Sequence, residues 1–207
     1  AAHLAALDEV ETILTRVHNP HVVAFDFAGV IVQGGNRRAL SRFLALLGFD
    51  LNAEQIDELY DLIFGDTSNP GRNYQALKDG RTTVQEAFVF AMNKFEEYFG
   101  TEQFKQKFEE HFKVEYNAEN FIHHWGDVYY GSYSRDEENT SIILKLIEMG
   151  VPVIILTNNF REKYYGIIER IVPELGDVYA IISSEVGASK PQPAIYQALV
   201  EYAQENS

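Results

Sequence analysis

The 207-residue chain has no cysteine, which removes disulfides, thiolate nucleophiles and cysteine metal sites and leaves the redox compartment undecided. Basic residues are scarce: 17 Lys and Arg stand against 31 Asp and Glu, a formal charge of −14 with histidine neutral. So acidic a surface repels a phosphate backbone, and no local basic patch offsets it, so no nucleic-acid partner is expected. Long hydrophobic runs are missing too. The apolar segment from Val151 to Leu156 has strand length, far below the roughly 20 residues of a membrane helix, so no membrane partner and a cytoplasmic location are expected. A secretory signal is also missing, because Asp8, Glu9 and Glu11 interrupt the N-terminal region where an apolar stretch would lie. What is present suffices for a real core: 46% of the residues are apolar and 13% aromatic, in a length that fits one or two domains.

Residues 1–19 place Leu4, Leu7, Val10, Ile13, Leu14 and Val17 on one stripe and predict an amphipathic helix. After Asn19-Pro20, the run Val22 to Phe25 fits a strand buried on both faces. Apolar residues at three and four spacing then predict helices at Leu40 to Leu47, Ile56 to Ile63, Val84 to Phe95, Phe104 to Phe112 and Phe121 to Tyr129, with Thr82, Thr101 and Asn117 as N-caps. Past Tyr133, helices alternate with strands at Val151 to Leu156 and Val178 to Ile182, and a last helix follows Pro191. Alternation of this kind argues for right-handed crossovers on a parallel sheet, whose binding groups lie at the carboxyl ends of the strands. The expected architecture is α/β: a Rossmann-like parallel core from residues 20–34 and 131–207, with an all-helical cap at 35–130 inserted into it.

Three signals fall at those strand ends. Asp26 tips the first strand and is followed by Ala28-Gly29, where glycine lets the chain turn tightly; taken alone, an acid before a turn is more often a turn-former than a nucleophile. Thr157-Asn158-Asn159 brings a hydroxyl and successive backbone N–H groups just before a helix, a geometry that suits either a phosphate cradle or an ordinary cap. Lys190 sits at a helix start between Gly187 and Pro191.

In this order, around a helical insertion, these signals resemble the haloacid dehalogenase-like hydrolase superfamily. Asn73-Tyr74 to Thr83 and Ser184 to Pro191 are similar to the branch that includes the phosphatase domain of soluble epoxide hydrolase. The resemblance implies a hydrolase of small phosphorylated metabolites in which Asp26 attacks phosphorus to form an aspartyl-phosphate. It implies that Thr157 and the Asn158 amide hold phosphoryl oxygens, that Lys190 offsets charge between Asp26 and the phosphate, and that Mg²⁺ is held by the Asp26 carboxylate and the backbone carbonyl of Ala28.

Two departures bear on activity. Family phosphatases carry a second aspartate two residues after the nucleophile, and here that position is Ala28. Acid–base help is worth about 10² to 10⁴ in rate, so a slow enzyme or a trapped aspartyl-phosphate is expected. The family's later acidic motif also has no counterpart in the 17 residues after Lys190, so the native polypeptide is expected to continue into another strand with an acidic loop. Glu185 is a candidate replacement metal ligand. The alternatives are a catalytically silent binding protein and a phosphonate hydrolase, the latter requiring a reactive cap lysine such as Lys78 or Lys94. His123-His124 point about 100° apart on a helix and suit no shared metal. The series Phe88, Phe90, Phe95, Tyr98, Phe99, Phe104, Phe108 and Phe112 reads as cap core, and part of it could face a homodimer partner.

Overall fold

The computed structural model describes residues 22–65 and 74–205. The amphipathic helix expected at residues 1–19 lies outside them. Among the described residues, β1 (Val23–Phe25), β4 (Val153–Thr157) and β5 (Tyr179–Ile182) form a parallel sheet in the order β1-β4-β5. The register pairs Phe25 with Ile155 and Thr157 with Ile182, which brings all three carboxyl ends to one edge of the core. A second, antiparallel pair, β2 (Val32–Gln33) with β3 (Ser134–Arg135), ties together the two points where the chain leaves and re-enters the core. This pair is invisible in the sequence, since two-residue strands have no periodicity to read.

Between β2 and β3 run α1 (Asn36–Leu46), α2 (Ala53–Tyr60) with a π turn after it, α3 (Tyr74–Lys78), α4 (Val84–Phe99), α5 (Thr101–Phe112) and α6 (Ala118–Tyr130). After β3 come α7 (Glu137–Glu148), α8 (Arg161–Ile171) between β4 and β5, the short α9 (Ser183–Val186) and α10 (Pro193–Glu205). The parallel core and the helical insertion are therefore both present.

The expected aromatic core holds the insertion together. Phe43 of α1 meets Trp125 edge-on at 5.0 Å, and Phe95 of α4 stacks on Phe104 of α5 at 5.2 Å. Phe88, Phe95, Phe104 and Phe108 are buried. Each such ring removes enough apolar surface from water to stabilise the fold by about 1.5–3 kcal/mol.

Several local expectations are corrected. Thr83, not Thr82, caps α4: its Oγ1 accepts from the Glu86 N–H while Glu86 Oε2 accepts from the Thr83 N–H, a reciprocal capping box. Gly100, not Thr101, stands at the cap of α5, whereas Asn117 caps α6 through the Asn120 N–H at 2.9 Å. Strand β1 is not buried on both faces. It is an edge strand among the described residues, with only β4 paired to it, and Ala24 is exposed. Alternation across β4 does give two covered faces: Ile154 and Leu156 pack with Ile181 and Ile195 beside α10, while Ile155 belongs to the larger core with Phe160 and Ile167 of α8.

Candidate active site

Asp26 leaves the carboxyl end of β1. Its Oδ1 accepts from the Phe27 N–H at 2.7 Å and lies 2.8 Å from Lys190 Nζ, although the two residues are far apart in sequence. Gly29, with φ +84, turns the chain immediately afterwards, so that the Gly29 N–H donates to the Val32 carbonyl at 2.8 Å. The Asp26 side chain is about half exposed at 47%, which leaves the carboxylate open on its outer side.

Lys190 is aimed by Asn158. The Asn158 Oδ1 accepts from the Lys190 N–H at 2.6 Å, and its Nδ2 donates to the Lys190 carbonyl at 3.0 Å, so one side chain grips both backbone groups of the lysine. Lys190 Nζ also donates to the Leu156 carbonyl at 2.9 Å, which fixes the ammonium above the end of β4. Thr157, the last residue of β4, is buried next to these groups. Asn159 closes the turn, its N–H donating to Ser183 Oγ at 3.0 Å and its Oδ1 accepting from the Phe160 N–H. The geometry therefore brings Asp26 and Lys190 into contact, with Asn158 binding Lys190 and Thr157 at the adjacent strand end.

The insertion touches this edge through residues 78–80. Ser183 Oγ donates to the Lys78 carbonyl, and Ser189 Oγ donates to Asp79 Oδ1 at 2.8 Å. Burial pushes the Asp79 carboxyl up, but hydrogen bonds from Ser189, Arg81 and Gln75 together hold it below the ordinary range. Gly80 has φ +69, and a Cβ there would lie 2.4 Å from the Ser184 carbonyl oxygen. Gly80→Ala is therefore expected to cost about 1–3 kcal/mol in strain and to pull the loop off Ser183 and Ser189. A lowered urea midpoint checks this; an unchanged midpoint would show that the loop shifts freely.

Other candidates are accounted for differently. Glu185 pairs with Arg161 at the start of α8. Lys94 pairs with Glu97 at 2.9 Å. His123 pairs with Asp127 at 3.4 Å, and His124 stacks on Phe112 at 4.2 Å. Among the described residues, no group of three His, Asp or Glu side chains could hold a metal ion. Two hard oxygen donors do occur close together in the sequence: the Asp26 carboxylate and, two residues on, the Ala28 carbonyl, which accepts no backbone hydrogen bond among the described residues. This chemistry fits Mg²⁺, which keeps several of its waters and asks few ligands of a protein.

Lys163 is a feature that the sequence reading does not single out. Its side chain is buried under α3 and α6, with Nζ 5.0, 5.2 and 5.1 Å from the ring centres of Tyr74, Tyr129 and Tyr133, and it donates a hydrogen bond to the Tyr74 hydroxyl. Burial first, and repulsion by Lys78 second, push its ammonium down to about 7. A signal for it does exist: Lys163 shares the stripe of Phe160, Tyr164 and Ile167, and so places a charge on the apolar face of a helix.

An acid held against a lysine across the ends of adjacent parallel strands, beneath a helical insertion, defines an α/β enzyme core with a strand-end site. The sequence profile of the haloacid dehalogenase-like hydrolases matches residues 20–207, and the chain belongs to that family. No curated protein matches it. Among solved structures, a HAD family enzyme of Bacteroides thetaiotaomicron is 15% identical, with a TM-score of 0.52 over 90% of this chain and 79% of that one. Its Asp-to-Ala mutant, solved with magnesium and inorganic phosphate, gives 0.50 over 88% and 78% at 15% identity. An L-2-haloacid dehalogenase of Xanthobacter autotrophicus with chloropropionic acid covalently bound is 14% identical, with a TM-score of 0.51 over 90% and 66%. At these identities the likeness speaks for the fold. No helix among the described residues is long and apolar enough to cross a membrane.

Proposed function

We propose that the protein is a Mg²⁺-dependent phosphohydrolase of small phosphorylated metabolites that works through an aspartyl-phosphate on Asp26. The observation that carries this is the 2.8 Å contact between Asp26 Oδ1 and Lys190 Nζ, locked by the Asn158 grip on the Lys190 backbone. A carboxylate poised beside a fixed cation can approach a dianionic phosphate that it would otherwise repel. Asp26 attacks phosphorus, the ester oxygen leaves, and water then releases phosphate from the carboxyl. In this reading Thr157 Oγ1 and the Asn158 N–H donate to phosphoryl oxygens, and Lys190, fixed by the Leu156 carbonyl, neutralises the charge gathered between Asp26 and the phosphate. Mg²⁺, held by the Asp26 carboxylate and the Ala28 carbonyl, supplies charge neutralisation at the phosphate when bound. The magnesium and phosphate of the Bacteroides relative support this choice of ligand and ion.

Ala28 leaves the departing oxygen and the attacking water without a carboxylate two residues from Asp26. Slow turnover follows, with the aspartyl-phosphate outliving the first step. Ala28→Asp is expected to raise phosphatase turnover about 10²-fold or more on a small aryl phosphate with Mg²⁺. An unchanged rate would favour the second reading, a silent member of the family that binds its ligand without hydrolysing it, for which the missing acid is the motivating observation.

A further inference from the structure

Lys163 and Lys78 present an electrostatic imbalance. Their ammonium groups lie 5.0 and 5.3 Å from the centre of the same Tyr74 ring, Lys163 from the core helix α8 and Lys78 from the end of α3. They repel each other enough to perturb Lys163. Although acids outnumber bases 31 to 17 in the chain, neither lysine makes an ion pair with any carboxylate among the described residues. The neighbouring acid, Asp79, attracts the Lys78 ammonium without pairing with it, and gives its oxygens to Ser189, Gln75 and Arg81. Around Lys163 stand the phenols of Tyr74, Tyr129 and Tyr133, which burial keeps protonated, and the Tyr129 hydroxyl donates to Asn36 Oδ1. Two cations without a paired carboxylate make the junction rich in positive charge, and a buried amine held only by the Tyr74 hydroxyl and ring faces remains costly unless something negative completes it.

The junction adjoins the strand-end site. The Lys78 carbonyl accepts from Ser183 Oγ, which in turn accepts from the N–H of Asn159, next to Thr157 and Asn158. Lys78 is the partly exposed member and Lys163 the buried one.

We propose that Lys78 and Lys163 form a second anion subsite, which takes a carboxylate carried on the same small molecule whose phosphate faces Asp26 and Lys190. The substrate class is then a short phosphorylated carboxylic acid. This subsite rests on the phosphohydrolase reading. In the complex the carboxylate accepts hydrogen bonds from both ammonium groups and holds Lys163 in its charged form. Charge-assisted bonds of this kind are worth more than neutral ones and add selectivity against an analogue that lacks the group.

The test uses the whole chain with Mg²⁺ and measures by calorimetry the binding of inorganic phosphate, of phosphonoacetate and phosphonopropionate, and of ethylphosphonate and propylphosphonate, which match them in size without the carboxylate. The expected result is that at least one phosphonocarboxylate binds about tenfold or more tightly than its alkyl counterpart. In Lys163→Met and Lys78→Met that ratio falls toward one while inorganic phosphate still binds, and Lys78→Arg keeps it. Circular dichroism verifies that each variant is folded. Equal affinities in the wild-type protein, or a ratio that survives both methionine substitutions, would overturn the subsite. Failure of inorganic phosphate to bind the wild-type protein would overturn the phosphohydrolase reading, and the subsite with it, so the two failures are distinguishable.

Discussion

Asp26→Asn is expected to lower phosphatase turnover by about 10³-fold or more while leaving the protein folded, because the change removes the attacking group and little else. The asparagine oxygen can still accept from the Phe27 N–H that Asp26 now holds at 2.7 Å. The other lost interaction is the pair with Lys190, and since Asp26 is 47% exposed its loss costs at most about 1 kcal/mol. Lys190 stays in place, since the Leu156 carbonyl and the Asn158 side chain hold it independently of Asp26. Steady-state hydrolysis of a small aryl phosphate, with urea unfolding of the same samples, checks both halves. Turnover retained in a folded Asp26→Asn protein would take the nucleophile's role away from this residue.

Lys163→Met is expected to stabilise the protein, by an amount that depends on pH. In the unfolded chain the amine titrates near its ordinary 10.5, whereas burial and Lys78 lower it to about 7 in the folded state. Between these values the unfolded chain binds more protons, so wild-type stability rises as pH climbs from about 7 towards 10.5, and the penalty is largest at and below pH 7. Each tenfold loss of proton affinity on folding is worth about 1.4 kcal/mol, so the penalty removed by methionine reaches a few kcal/mol near pH 6.5. By pH 9 less than half of it should remain. The groups facing Lys163 are Tyr74 of α3, Tyr129 of α6, Tyr133 after α6, and Lys78; the phenols are raised by burial and do not titrate in this window. Loss of the hydrogen bond to Tyr74 offsets the gain by about 1 kcal/mol at every pH. Urea unfolding of both proteins at pH 6.5 and pH 9 therefore reads the lysine through the difference between the two gains. A gain that did not shrink with pH would mean that the amine keeps its ordinary proton affinity in the fold. A gain that does shrink marks Lys163 as a residue retained despite its cost to stability, as binding groups often are.

Much of the core is legible because its chemistry is local. Val153–Thr157 is an unbroken apolar run that ends in a hydroxyl, and such a run belongs in the middle of a parallel sheet, which is where β4 lies. The aromatic residues of α4 and α5 recur at helical spacing and pack as that spacing requires. Asp26, Thr157, Asn158 and Lys190 stand out because each follows a strand, ends one or opens a helix, and the fold gathers strand ends at one edge. What is less legible depends on partners distant in sequence. Val23–Phe25 has the composition of a central strand, and nothing within it says that only β4 will pair with it among the described residues. The choice between Thr82 and Thr83 turns on which residue leaves the helical backbone, since both hydroxyls reach Glu86. In sequence Asn158 offers its backbone N–H, while in the fold its side chain also binds Lys190, a contact across 32 residues. Lys78 looks like solvated helix charge and Lys163 shows only as a charge on the apolar stripe of its helix, because a short window around a lysine shows no sign of the tyrosines that will close over it.

The central claim, that Asp26 takes the phosphoryl group, is tested most directly by exposing the protein with Mg²⁺ to a small phosphoryl donor such as acetyl phosphate, quenching in acid at a series of times, and measuring intact mass followed by peptide mapping. With Ala28 unable to activate water, the aspartyl-phosphate should accumulate as one added phosphoryl group on the peptide containing Asp26. It should be absent from Asp26→Asn and shorter-lived in Ala28→Asp. A protein that gains no phosphoryl group at any quench time, or gains it on another residue, would contradict the account.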